Sequence, residues 1–191
     1  MTGLNVDAAI RYAWEALALV WLVGLAFTKR TVRSQAPGTR LFHLALIVLG
    51  FTLLSDRWLT QGWLGMRFLP SLHSLAVVGL ALTIAGCAFA IWARLVLGSN
   101  WSGRATVKAD HQLMTGGPYA IARHPIYTGL LVAVVGTALA DGEWHAFMAV
   151  ITILLAFVVK MSQEERLMIQ TFPAEYPAYR HRVKALIPGI F

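Results

Sequence analysis

The sequence predicts an all-α, polytopic membrane protein with about five transmembrane helices and a cytosolic pocket formed by the third loop and the C-terminal tail. Three observations predict the class. Of 191 residues, 58% are hydrophobic and only 13% charged, where an ordinary soluble domain carries about 25% charge. The apolar residues gather into five runs, which leave too little polar chain to coat a globule. The basic residues sit between those runs, so the net charge of +7 points to a membrane rather than to nucleic acid, which needs a soluble basic face. The length suits one integral-membrane domain, with three spans over 1–97 and a second part, 98–191, that holds two spans and the tail. The single cysteine, Cys87, lies inside an uncharged run, so no intrachain disulfide forms and cysteine usage does not report the compartment.

The elements follow in order. Residues 8–28 are apolar apart from Arg11 and Glu15, one helical turn apart. This is not a cleaved signal peptide, whose positive charge precedes its apolar region; here Lys29, Arg30, Arg33 and Arg40 follow it. Residues 41–55 and 71–93 contain no Asp, Glu, Lys or Arg. Residues 125–140 and 144–159 form a pair split by Asp141-Gly142-Glu143. A membrane helix needs about 17–25 residues, so the third run spans cleanly and the second, fourth and fifth borrow flanking residues. Gly79 and Gly86 are seven apart, as are Gly129 and Gly136; each pair falls on one helix face, where small residues let helices approach. Trp58, Trp63, Trp101 and Trp144 lie near span ends, as interfacial anchors do. No repeat or low-complexity segment is visible.

Loop charge sets the orientation. The N-terminal stretch (Asp7, Arg11, Glu15) is net negative and the first loop strongly positive. The second loop (Asp56, Arg57, Arg67) is weakly positive, and the third (Arg94, Arg104, Lys108, Asp110, Arg123) strongly so. The turn at Asp141 and Glu143 is negative and the tail positive again. By the positive-inside rule the N-terminus is outside and the C-terminus cytosolic, in a bacterial inner membrane or one like the endoplasmic reticulum.

The third loop and the tail hold most of the hydrogen-bonding side chains. In "GGPYAIARHPIYTGLL", Pro125 suits the first position of a helix, where its missing N–H costs nothing. His124, before proline, is pushed toward an extended conformation, and Gly116-Gly117-Pro118 makes a turn. Arg123 and His124 thus stand at a helix N-terminus, an end that prefers anions. They suit an incoming carboxylate or phosphate there; alternatively Arg123 reaches out to lipid phosphates. In the tail, Glu164 and Glu165 follow the fifth run, either as a solvated helix end or as part of a site. Phe172, Tyr176, Tyr179, Val183 and Leu186 recur at helical spacing. Pro173 and Pro177 interrupt them, so a regular helix is expected from near Pro177, lying on the membrane or folded as a lid over the third loop.

Taken together, "HQLMTGGPYAIARHPIYTG", "EERLM" and "EYPAYRHRVKALIP", over residues 111–188, resemble the isoprenylcysteine carboxyl methyltransferase and phospholipid methyltransferase superfamily of integral-membrane enzymes. The resemblance implies S-adenosylmethionine as cofactor and a lipophilic or lipid acceptor: a prenylcysteine carboxylate, a phospholipid amine or a small thiol. It implies that His111, Gln112, Leu113, Met114, Thr115, Gly117 and Tyr119 cradle the cofactor, with His124, Pro125 and Tyr127 lining the same pocket. Glu165 or Glu164 would meet the cofactor's amino group or shape the reaction centre beside Arg123 and His124, and Tyr176, Tyr179 and Arg180 would close the cytosolic side. No metal ligand is implied. The family usually has Phe-Gly before Glu-Tyr; this chain has Phe172-Pro173-Ala174. The chemistry agrees with the resemblance: glutamates suit an ammonium, arginine a carboxylate, and an aromatic face such as Tyr127 a cationic group.

Two rival readings are a membrane sterol-type reductase using NADPH and a non-enzymatic membrane protein. The reductases carry Arg-x-Pro-Asn-Tyr-x-Gly-acid; here Ile126 replaces the asparagine and Leu130 the acid, and the glutamate pair fits methyltransferases better.

Overall fold

The computed structural model describes residues 5–26, 31–34, 37–55, 62–98, 106–108 and 113–190. Five long helices carry the fold: α1 (Val6–Leu25), α2 (Pro37–Ser55), α3 (His73–Leu97), α4 (Pro125–Asp141) and α5 (Trp144–Thr171), followed by a short α6 (Glu175–Arg182). By length and composition α1, α3 and α5 can each cross a membrane, while the apolar stretches of α2 and α4 are shorter. α5 departs most from expectation. It runs 28 residues, about 42 Å at 1.5 Å per residue, and outlasts a hydrocarbon core of about 30 Å. Its polar end, with the glutamate pair, continues the helix instead of ending it.

Contacts fix the direction of each helix. His43 Nδ1 lies 3.1 Å from the Ala156 carbonyl while His145 Nδ1 lies 2.7 Å from that of Leu53, so α2 and α5 are antiparallel. Trp14 Nε1 donates to Thr137 Oγ1 at 3.0 Å, Thr137 Oγ1 lies 3.2 Å from Thr83 Oγ1, and Arg94 Nη2 donates to Gly24 O at 2.9 Å. α1 and α3 therefore run the same way. The glycine pairs form the seam between α3 and α4. A Cβ on Gly86 would stand 2.5 Å from Gly129 O, and one on Gly79 2.5 Å from Gly136 O; the reverse substitutions meet the reciprocal carbonyls at 2.6 Å. The two backbones touch at both steps, which only glycine allows.

One element was not expected. β1 (Thr31–Ser34) pairs antiparallel with β2 (Thr106–Lys108), Thr31 opposite Lys108 and Ser34 opposite Thr106. This ribbon joins the first and third loops, the two most basic ones. Of the tryptophans expected at span ends, Trp63 is exposed and Trp144 packs on Phe68 with ring centroids 5.1 Å apart; Trp58 and Trp101 lie outside the described residues.

Candidate functional site

The site forms where the start of α4, the end of α5 and the tail converge. The turn at Gly116 leads into a short 3-10 helix, Gly117–Ala120. Gly117 has φ +58°, a left-handed conformation that favours glycine. α4 begins at Pro125, and His124 before it has φ −120° and ψ +61°, outside the helical region but short of the extended conformation expected before proline. Gly142, at φ +72°, ends α4 and turns the chain into α5. The resulting hairpin brings the third loop and the glutamate pair together.

The tail differs from the expected helical stripe. α6 begins at Glu175, and Pro177 falls in its first turn, where a missing N–H is tolerated. The break is at Pro173-Ala174 instead. The helix ends at Arg182 and Val183 is extended, so Val183 and Leu186 are not part of it. Residues 183–186 form a strap across the entrance to α4. Arg123 N–H donates to Lys184 O at 2.8 Å, His124 N–H to Ala185 O at 3.0 Å, and Thr128 Oγ1 to Leu186 O at 2.8 Å. The reason for the departure is backbone satisfaction: donors just before a helix need partners, and an extended strap supplies a row of carbonyls.

The side chains beneath the strap form one cluster. Arg123 grips Glu165 Oε1 with Nε at 2.9 Å and Nη2 at 2.6 Å. Its Nη1 donates to the carbonyls of Val183 and, at 3.2 Å, Arg180. His124 stands between the acids, Nδ1 3.6 Å from Glu164 Oε2 and Nε2 3.3 Å from Glu165 Oε1. Tyr127 O–H donates to Glu164 Oε1 at 2.8 Å, and Lys160 Nζ lies 3.6 Å from the same oxygen. The rings of His124, Tyr127 and Phe157 stack in sequence, with centroids 5.6 and 4.9 Å apart. The side chains of Arg123, His124 and Glu165 are 8%, 9% and 13% exposed, so the pair is not a solvated helix end. Burial opposes charge on His124, but hydrogen bonds to Glu164 and Glu165 outweigh it and raise its pKa above the ordinary 6.5.

Arg123 therefore has an occupation other than lipid phosphates or an incoming carboxylate: all of these bonds join α5 and the tail. Tyr179 and Tyr119 are likewise turned inward, Tyr179 O–H donating to Tyr119 O at 2.6 Å and Tyr119 O–H to Ala93 O at 3.4 Å. Tyr176 is buried against Tyr179, Pro125 is fully buried, Leu113 and Met114 are half-buried, and Thr115 is exposed. His111 and Gln112 lie outside the described residues.

Beside the cluster a cavity of about 380 Å³ opens between α5 and the tail. Arg123, Glu165 and Arg180 line its polar side; Val158, Met161 and Ile190 line the apolar side. Sequence reading missed these apolar residues and Lys160. The available signal was spacing: Met161 precedes Glu165, and Lys160 precedes Glu164, by four positions on one helix face.

A family model for phospholipid methyltransferases matches residues 75–175, from α3 to the start of α6. The chain belongs to this family. The phospholipid methyltransferase match begins well before the motif region 111–188 and takes in nearly all of α3. Relatives include the cobalt-zinc-cadmium resistance protein CzcN of Cupriavidus metallidurans, 30% identical over 75% of this chain and 62% of that one. The protein-S-isoprenylcysteine O-methyltransferase of Schizosaccharomyces pombe is 33% identical over 42% of this chain and 35% of that one. Among solved structures, a eukaryotic intramembrane Ras methyltransferase, isoprenylcysteine carboxyl methyltransferase, superposes with a TM-score of 0.55 at 24% identity. That match covers 83% of this chain and 55% of the other and shows a shared fold. The aligned parts thus span less than two thirds of each relative.

Proposed function

We propose that this member of the phospholipid methyltransferase family transfers a methyl group from S-adenosylmethionine to a lipophilic acceptor drawn from the membrane, at the cytosolic face. The observation that carries the reading is the half-buried glutamate pair, held by Arg123, His124 and Tyr127 beside a cavity with one polar and one apolar wall. S-Adenosylmethionine supplies an activated methyl group on a sulfonium, together with an ammonium and a carboxylate. Glu164 and Glu165 offer negative charge to the cationic groups. Arg180 is 54% exposed and, with Lys184, puts positive charge on the cavity where a carboxylate can bind. Arg123 acts by positioning Glu165 and the strap.

The apolar wall of Val158, Met161 and Ile190 admits a tail, and the similarity to protein-S-isoprenylcysteine O-methyltransferases supports an acceptor of that lipophilic class. An acceptor that arrives as an anion, such as a carboxylate or thiolate, needs no general base. Loop charge places the N-terminus outside and the C-terminus in the cytosol, where S-adenosylmethionine is made; a reporter fused after Phe191 reads that orientation.

The test is equilibrium binding of labelled S-adenosylmethionine to the purified protein in detergent. Saturable binding is expected, weakened at least about tenfold in folded His124→Ala, since a hydrogen bond to a charged group is worth about 1.5–3 kcal/mol. Binding of NADPH instead would favour the reductase reading. Binding of neither would favour a non-enzymatic protein.

A further inference from the structure

We propose a second site, for a divalent transition-metal ion, at the far end of the α4–α5 hairpin, built from Asp141, Glu143 and His145. It lies at the opposite membrane surface from the glutamate pair and has no part in the chemistry proposed above.

His145, the second residue of α5, is 5% exposed. Its Nδ1 lies 2.7 Å from the Leu53 carbonyl of α2. A carbonyl only accepts, so Nδ1 carries a proton and donates. Nε2 is thereby the atom aimed into the turn, 3.0 Å from Asp141 Oδ2 and 3.1 Å from Glu143 Oε2. Nε2 and two carboxylate oxygens thus converge from three side chains, with the imidazole buried and the carboxylates partly exposed. A cation between them would be met by all three. This fixing of one ring nitrogen by a backbone carbonyl is also what orients a metal-ligating histidine.

Geometry and charge agree. The three ligand atoms all lie within 4.8 Å of one another. In a tetrahedral zinc site with bonds of about 2.0–2.1 Å, ligand atoms stand about 3.4 Å apart, so small side-chain movements complete the shell. Two carboxylates beside an imidazole make an anionic ligand set, with the Arg67 guanidinium lying against Gly142 between them. One nitrogen and two oxygens suit Zn²⁺, Co²⁺ or Ni²⁺ better than Mg²⁺ or Ca²⁺, and the fourth position is left for water. The carboxylates are 33% and 27% exposed, so an ion can reach them from the aqueous side.

The local backbone makes the site a junction. Gly142, at φ +72°, folds Asp141 and Glu143 back toward His145. Its carbonyl accepts from Phe68 N–H at 2.9 Å and Leu69 N–H at 3.2 Å, and Glu143 forms a single β-bridge with Arg67, whose guanidinium lies against Gly142. Bound metal would tie α2, the 66–69 segment and the hairpin turn together.

The experiment uses the full-length, tag-free protein in detergent, stripped with a chelator and titrated with Co²⁺. One Co²⁺ per chain is expected, with visible d–d absorption, displaced by Zn²⁺ and not by Mg²⁺. Asp141→Asn and Glu143→Gln, at partly exposed positions that leave the fold intact, should each weaken binding at least about tenfold. The bound ion should also raise the melting temperature of the wild type. No Co²⁺ or Zn²⁺ binding would overturn the proposal. So would binding that is unchanged in both variants.

Discussion

Replacing Glu165 with glutamine removes one negative charge and leaves the shape of the side chain. Arg123 keeps its bonds to the carbonyls of Val183 and Arg180, and the amide oxygen can still accept from it. What disappears is the charge in two short bonds, 2.9 and 2.6 Å, between groups 8% and 13% exposed. Breaking a fully buried pair costs about 3–5 kcal/mol. Because an acceptor remains, the loss expected here is about 2 kcal/mol, roughly 1 kcal/mol between a charged and a neutral hydrogen bond for each of the two. In a chain of this size that lowers the melting temperature by about 4–8 °C. Glu164→Gln should cost about half as much: Glu164 is 21% exposed, its firm partner is the Tyr127 hydroxyl, and Lys160 is 3.6 Å away. Thermal unfolding in detergent, followed by tryptophan fluorescence, measures both. A cycle of Arg123→Gln, Glu165→Gln and the double variant isolates the coupling, expected at about 1–2 kcal/mol. If Glu165→Gln melts with the wild type and the cycle shows no coupling, the pair does not hold the tail and the reasoning fails.

His124 should make stability depend on pH. Its folded pKa is raised above 6.5, so the stabilisation from its contacts with Glu164 and Glu165 is complete below about pH 6.5 and declines as pH rises through the folded value; melting curves across that range should show the decline, and His124→Gln should flatten it. The glycine seam should not tolerate side chains: Gly86→Leu would press on Ala133 N and Gly129 O, 2.4 and 2.5 Å from a bare Cβ, and should destabilise by at least about 1–3 kcal/mol. Gly116, with nothing within 4 Å and φ −99°, is the control for added bulk alone.

The long apolar helices were legible because membrane helices are written in local composition. Four of their boundaries followed from Pro125, the Asp141-Gly142-Glu143 turn and the ends of the apolar runs. The glycine seam was legible because a seven-residue repeat marks one helix face. The glutamate pair was visible, but its burial was not: nothing local in "QEERLM" says that Arg123 and His124 will cover it. The strap was misread for a related reason. Val183 and Leu186 keep helical spacing with Tyr179, yet the unmet N–H groups of Arg123 and His124, some sixty positions away, outweigh that pattern. The β1–β2 ribbon and the Leu53–His145 contact join distant segments in the same way, and periodicity carries no trace of either.

The strap has a consequence for biogenesis. A ribosome that has delivered residues 1–160 has released α1 to α4 and the apolar part of α5, yet the glutamates, the strap and the grip of Arg123 are all still to come. The order of synthesis thus separates insertion of these helices from completion of the cluster: α4 enters the bilayer with its front edge uncovered, and a segment made later covers it. A nascent chain stalled before Lys184 would have its apolar helices threaded but the Arg123–Glu165 cluster uncovered, and quality control that inspects only hydrophobic insertion would pass it.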